Sequence, residues 1–235
     1  MEPWMTEVAG KLGYDVVWLD MEHRHYSYNV IDPISLACRA TGMDLMVRIR
    51  KIGYTSMMCP LEFGANGVMV PHCRSGEEAQ QWADWMRYPP RGKRGFDNAG
   101  VDADYTLSNP TEYMKHVNEE TFLVLQVEDR EAVDCIDDIL AVEGVDLIFV
   151  GPADLSISYG VPMQREHPDV QRAMDKVANA VAKAGKWWGT VTGTPESAQE
   201  EMNRGARMVT VANDHFLLVH GLRDAYKRFE NIKIK

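Results

Sequence analysis

Polar side chains recur in this sequence directly after short apolar runs: Asp20-Met21-Glu22-His23, Arg48, Pro71-His72, Gln126-Val127-Glu128 and Asp154. Acids, a base and a cation at the ends of successive apolar runs suit proton transfer beside a stabilised anion. Glu128 and Asp154 are hard oxygen donors, a pair that suits a divalent cation. Magnesium or manganese fits best and cobalt is a further candidate, with water and substrate completing the shell. His23, as a neutral imidazole, is the natural general base near pH 7. Arg48 offers a planar fork for a substrate carboxylate. Together these groups describe enolate chemistry on a 2-keto acid: a cation polarises the keto group, a base moves the proton and an arginine holds the carboxylate.

Each residue taken alone also has an ordinary reading. Glu128 or Asp154 could cap a helix start, and a single histidine is commonly a surface or satisfied core residue. Arg48 on an apolar run is harder to dismiss, because a buried guanidinium needs a partner. Charge on several successive runs is what favours a site.

The elements that must position these groups follow from a repeated signature. Small turns, most containing glycine, precede apolar runs at 16–20, 45–49, 67–71, 146–150, 187–191 and 207–212, and a seventh run at 121–128 follows Asn118-Glu119-Glu120. The runs lack strict polar alternation, as expected of parallel strands covered on both faces. Helix-length segments lie between them. Ser75 with Glu78 has capping-box spacing, the segment 167–184 has Pro168 near its start and Gly185 just past its end, and 129–140 reads as one helix. Strand then helix, repeated, predicts parallel βα units in a single domain over 1–235. A closed barrel of this kind has eight strands, whereas seven are visible and the chain opens on a helix. The expectation is an α/β (β/α)8 TIM barrel whose first strand is missing from this chain. Segment 88–118 has no clear period and is expected to fold over the barrel mouth or onto a neighbouring subunit.

The 235-residue chain is 45% hydrophobic and 26% charged, enough for one sizeable core. A formal net charge of -10 argues against nucleic acid and anionic membrane surfaces as partners. Cys38, Cys59, Cys73 and Cys135 form no Cys-x-x-Cys pair, no run has membrane-spanning length, and the start of the chain carries Glu2 and Glu7. A cytoplasmic protein is expected.

Five spaced motifs, Asp20-Met21-Glu22-His23, Val47-Arg48, Arg87-Tyr88-Pro89-Pro90-Arg91-Gly92-Lys93-Arg94-Gly95, Gln126-Val127-Glu128 and Gly151-Pro152-Ala153-Asp154-Leu155-Ser156, resemble those of the HpcH/HpaI aldolases. These are metal-dependent pyruvate aldolases with a barrel of the phosphoenolpyruvate/pyruvate type. The resemblance implies retro-aldol cleavage of a 4-hydroxy-2-oxo acid to pyruvate, or a close 2-keto acid, and an aldehyde. It implies a last helix exchanged with a partner subunit, generally in a hexamer built as a trimer of dimers. Carried over by residue, it assigns the metal to Glu128 and Asp154, enolate stabilisation to Arg48, keto-acid contact to Gln126 and the base to His23. The amides of Ala153 and Asp154 would receive the carboxylate, a role suited to a helix start. Two departures stand out. Glu62 replaces the aspartate that the family pairs with the histidine, and His72 follows Pro71 where an apolar residue is common. A histidine there, in a substrate-contacting position, is similar to macrophomate synthase, a relative that decarboxylates oxaloacetate and uses the enolate to form a carbon–carbon bond. Oxaloacetate decarboxylation is therefore the alternative chemistry. A non-catalytic barrel serving binding or assembly is the alternative from another class.

Overall fold

The computed structural model describes residues 2–232. Seven parallel strands form one sheet in sequential order: β1 (Val16–Asp20), β2 (Asp44–Arg48), β3 (Gly67–Val70), β4 (Phe122–Val127), β5 (Leu147–Val150), β6 (Trp187–Val191) and β7 (Met208–Thr210). Each strand pairs in parallel with the next. All seven expected strands are present, with each end within two residues of its expected position. Helices α1 (Pro3–Lys11), α2 (Ile31–Thr41), α3 (Tyr54–Glu62), α4 (Gly76–Met86), α5 (Pro110–Glu120), α6 (Arg130–Asp134), α7 (Ile136–Leu140), α8 (Pro152–Ser158), α9 (Pro168–Lys183), α10 (Pro195–Asn203) and α11 (Asp214–Phe229) complete the chain. Among the described residues β1 and β7 do not pair with each other. An all-parallel sheet in strict chain order is consistent with a TIM-barrel-like fold.

The two-residue period of a strand divides the sheet into two faces. Leu19, Leu45, Val47, Val68, Val70, Leu123, Leu125, Ile148 and Val150 point to the helices and join the main core. Val16, Trp18, Met46, Met69, Phe122, Val124, Leu147, Phe149 and Met208 point the other way and form an inner core. One step of two further along their strands, Trp18 leads to Asp20, Met46 to Arg48, and Val124 to Gln126 and then Glu128. The polar groups therefore cap an apolar plug at the carboxyl ends of the strands, positioned by alternation alone. Gly67, the first residue of β3, keeps that plug close-packed, because a Cβ there would lie 2.1 Å from the Phe122 ring. Gly67→Ala is expected to lower stability by about 1–3 kcal/mol through overpacking, read as a reduced urea midpoint at unchanged slope.

Local signals explain the helices. Ser75 accepts from the Glu78 amide at the start of α4, as its spacing predicts. Gly42 and Gly185, at φ 72° and 66°, terminate α2 and α9 in the left-handed conformation that glycine favours. Segment 129–140 is two short helices rather than one, broken at Cys135 (φ -105°, ψ 24°). Residues 95–101 of the long segment 88–118 lie alongside α3, and residues from Pro110 onward form α5. The Gly95 amide donates to the Tyr54 hydroxyl at 2.6 Å near one end of α3, and Val101 lies against Gly64 just past the other. Within the segment the buried guanidinium of Arg94 donates to Asp102 at 2.9 Å and stacks on Tyr88, tying its own turns together. Helix α11 has no buried residue, and Phe216, Leu217, Leu222, Tyr226 and Phe229 are all exposed on it. No helix among the described residues is long and apolar enough to cross a membrane.

Candidate active site

Asp20 and Arg48 are register partners on β1 and β2, and their side chains form a two-pronged ion pair. Arg48 Nε donates to Asp20 Oδ1 at 3.0 Å and Nη2 to Oδ2 at 2.8 Å. Burial pushes the Asp20 carboxyl up, but the Arg48 fork and the amides of His23 and Glu22 outweigh it and hold the group below the usual carboxylate range. Trp18 supports the guanidinium from beneath, 4.9 Å from ring centroid to carbon. The fork expected to hold a substrate carboxylate is thus occupied by Asp20. What remains is Nη1, which reaches Gln126 Oε1 at 3.4 Å and lies 3.3 Å from Glu22 Oε2. Arg48 is positioned to place one edge, not a fork, against an oxyanion.

Gln126 links this pair to Glu128, its Nε2 donating to Glu128 Oε2 at 2.7 Å. Glu128 is almost wholly buried, at 1% exposure. Its Oε1 accepts from the His72 amide at 3.1 Å. Burial, reinforced by the charges of Asp154 and Glu22 and opposed by His72, pushes its carboxyl up to about 7. Gly151, directly after β5, makes room for it: a Cβ there would lie 2.4 Å from Glu128 Oε2. Gly151→Ala is therefore expected to displace the carboxylate and cost about 100-fold in turnover, with little change in the thermal midpoint.

Asp154 is the third residue of α8, half-buried, and its amide and that of Ala153 belong to the helix's first turn, where amides have no intrahelical partner. Among the described residues, no group of three or more His, Cys, Asp or Glu side chains is gathered tightly enough to hold a metal ion. The two-carboxylate donor set still fits a hard divalent cation that keeps water or substrate in its shell. The charges of Asp154 and Glu22 press on the buried Glu128, an effect that positive charge bound there would offset.

His23 follows β1 with a side chain 60% exposed, its Nε2 3.6 Å from Glu22 Oε2. Glu62 is not brought to it within this chain. It ends α3, at the amino-terminal side of the sheet, where burial pushes its carboxyl up against the pull of Arg94 and beside Asp102 and Asp97. His72, by contrast, sits at the carboxyl end of β3 in a left-handed conformation (φ 47°), and its Nδ1 lies 2.9 Å from Asp129 Oδ2. Asp20, Glu22, Arg74 and Asp129 join the site in addition to the residues expected there. The signal for Asp20 was its two-residue step from Trp18; Asp129 is marked only by its place beside Glu128.

Acids, an arginine and an amide at the carboxyl end of a parallel sheet place the chain among α/β-barrel-like enzymes. Residues 1–221 match the family model described as HpcH/HpaI aldolase/citrate lyase, and the chain belongs to that family, as its five motifs imply. The chain is 33% identical over 230 residues to a 2-keto-3-deoxy-L-rhamnonate aldolase from Shigella sonnei, covering 98% of this chain and 86% of that one. A protein of the same name from Escherichia coli K12 is also 33% identical, with the same coverage. Among solved structures, an HpcH/HpaI aldolase from Desulfitobacterium hafniense superposes with a TM-score of 0.92 at 30% identity, covering 98% of this chain and 89% of that one. The citrate synthase SbnG superposes with a TM-score of 0.88 at 27% identity, covering 97% and 89%. The chain is accordingly an enzyme of the carbon–carbon lyase class, and the non-catalytic reading is set aside.

Proposed function

We propose that the enzyme cleaves a 4-hydroxy-2-oxo acid to pyruvate, or a close 2-keto acid, and an aldehyde, in a divalent-cation-dependent reaction. The observation that carries this reading is the continuous chain Asp20–Arg48–Gln126–Glu128, which holds the Nη1 edge of Arg48 near a buried carboxylate with a second carboxylate, Asp154, close enough to raise its affinity for protons. A cation on Glu128 and Asp154 would supply the positive charge that polarises the keto acid; magnesium, manganese and cobalt all suit these oxygen donors.

In the cleavage a base takes the proton of the C4 hydroxyl, the C3–C4 bond breaks, and its electron pair moves into the C2–C3 bond to give an enolate and the free aldehyde. Protonation at C3 then yields the keto acid. Arg48 Nη1 faces the developing C2 oxyanion, Gln126 contacts the keto acid, and the Ala153 and Asp154 amides receive its carboxylate. His23 serves as the base, acting through water in keeping with its exposure. His72 contacts the aldehyde half. Glu62 has no place in this set within one chain.

The exposed apolar residues of α11 support exchange of this helix with a second copy, in a hexamer built as a trimer of dimers, since contiguous exposed apolar residues mark interaction surfaces. The net charge supports small-molecule partners over nucleic acid or membrane, and a cytoplasmic setting suits the reduced cysteines. The barrel would be completed by an eighth strand between β1 and β7 that the seven described strands do not include.

A pyruvate-release assay across 4-hydroxy-2-oxo acids, repeated with magnesium, manganese and cobalt, tests the reading: cation-dependent release from at least one substrate is expected, and release from none would sink it. A second reading, enolate formation from oxaloacetate by decarboxylation, is favoured by His72, which sits beside Glu128 just past β3. It needs Arg48 and the carboxylate pair but no base for an aldol hydroxyl. His23→Ala should then abolish cleavage and spare decarboxylation.

A further inference from the structure

Asp20 alone does not fix the aim of Arg48. The two-pronged bond between them holds the guanidinium along one edge and leaves it free to rock about that edge. The far corner of such a hinge moves most, and that corner is Nη1, the nitrogen assigned above to the C2 oxyanion. Its bond to Gln126, at 3.4 Å, is long and restrains it weakly. Under the guanidinium lies the indole of Trp18, with Arg48 Cζ 4.9 Å from the ring centroid. Trp18 is itself braced. It sits on β1 two residues before Asp20, and its ring meets that of Phe149 edge to face, 5.3 Å between centroids. Phe149 is fully buried on β5, where it is the register partner of Gln126 on β4. The ring pair thus spans the inner face of the sheet from β1 to β5 and closes the apolar plug beneath Arg48.

The indole N–H makes tryptophan a costly residue for a plug. Trp18 Nε1 is buried and has no hydrogen-bond partner among the described residues, a penalty that phenylalanine or leucine would not carry. What the indole provides instead is the best aromatic face for a cation. We infer that Trp18 is a positioning residue for the enolate chemistry: its ring face stops the rocking of Arg48 and keeps Nη1 aimed at the developing oxyanion. The contribution belongs to the transition state, because the C2 oxygen gains its charge there, so it acts on kcat more than on KM. The inference rests on the enolate reading of the site.

The test is exchange of the pyruvate methyl protons in deuterium oxide by the magnesium-loaded full-length enzyme. In this exchange a C3–H bond breaks, its electron pair forms the enolate double bond, the proton passes to solvent and a deuteron takes its place. Trp18→Leu is expected to lower kcat about tenfold with the KM for pyruvate within about twofold, and Trp18→Phe, which keeps a weaker face, about threefold. In Arg48→Lys enzyme, adding Trp18→Leu should change kcat by less than about twofold, because the ring acts through the guanidinium. Should Trp18→Leu not fold, a fluorinated tryptophan incorporated in place of tryptophan keeps the ring's shape and weakens its face. It is expected to lower kcat in wild type but not in Trp18→Phe. Wild-type kcat in folded Trp18→Leu, losses from Trp18→Leu and Arg48→Lys that simply multiply, or equal effects of fluorination on both enzymes would overturn the assignment of Trp18 alone. Wild-type enzyme that exchanges no protons with magnesium or manganese would overturn the enolate reading and this assignment with it.

Discussion

Arg48→Lys is expected to lower kcat for pyruvate release by about 100- to 1,000-fold while leaving the enzyme folded, the loss typical of removing one preorganised oxyanion donor. Lysine keeps the charge but cannot reproduce the arrangement in which Nε and Nη2 bind Asp20 while Nη1 faces Gln126 and Glu22. An ammonium satisfied by Asp20 would leave the oxyanion position without a donor. Arg48→Ala is a poorer test, because it strands Asp20 in a partly buried site and mixes folding with catalysis. Asp20→Asn supplies the companion result. It leaves Arg48 in place with a weaker tether, so kcat should fall while the KM for the keto acid changes less. Steady-state kinetics with cation at saturation measure both, and a kcat within threefold of wild type for Arg48→Lys would remove Arg48 from the chemistry.

The second large effect concerns Glu128. Its carboxyl titrates at about 7 in the folded, cation-free protein against an ordinary value of 4.5. Between those values the folded state binds more protons than the unfolded state, so stability is fully present below about 4.5, falls as pH rises, and the loss is complete above about 7. The shift corresponds to roughly 3 kcal/mol, or about 7–14 °C in midpoint for a chain of this size. Glu128→Gln removes the titration and is expected to melt higher than wild type at pH 8 and nearly level with it at pH 4.5, when both are stripped of metal with chelator. The variant should also lose cation-dependent activity, since an amide cannot supply the anionic ligand. Thermal unfolding across pH, followed by circular dichroism, checks the first expectation. Parallel curves for wild type and variant would mean that Glu128 is not the strained group the fold makes it.

Much of this site was legible in the sequence because a strand's alternation carries chemistry with it. Once Trp18, Met46 and Val124 are assigned to the inner face, Asp20, Arg48, Gln126 and Glu128 must share it, and all seven strands could be recognised from their apolar runs. Partner choice was not legible. Arg48 at a strand end looks ready for a substrate carboxylate, but it is the neighbouring strand's register that hands its fork to Asp20. Nor could the course of segment 88–118 be read, because it depends on contacts far apart in sequence, such as that of the Gly95 amide with the Tyr54 hydroxyl. Helix α11 is marked in the sequence only by the family resemblance, because its apolar residues find no core among the described residues and so match no packed face. The separation of Glu62 from His23 follows from topology, since a helix after a parallel strand returns to the sheet's opposite end.

Exchange of the pyruvate methyl protons in deuterium oxide reaches the central claim most directly, because it requires enolate formation but no knowledge of the aldehyde. With manganese present at a concentration low enough to preserve resolved resonances, or with magnesium, the wild-type enzyme should deplete the methyl signal in the proton spectrum. Chelator should stop the exchange, and Glu128→Gln and Arg48→Lys should slow it at least about 100-fold. Exchange that proceeds undiminished in chelator or in both variants, or no exchange with any divalent cation, would contradict an enolate site built on Glu128, Asp154 and Arg48.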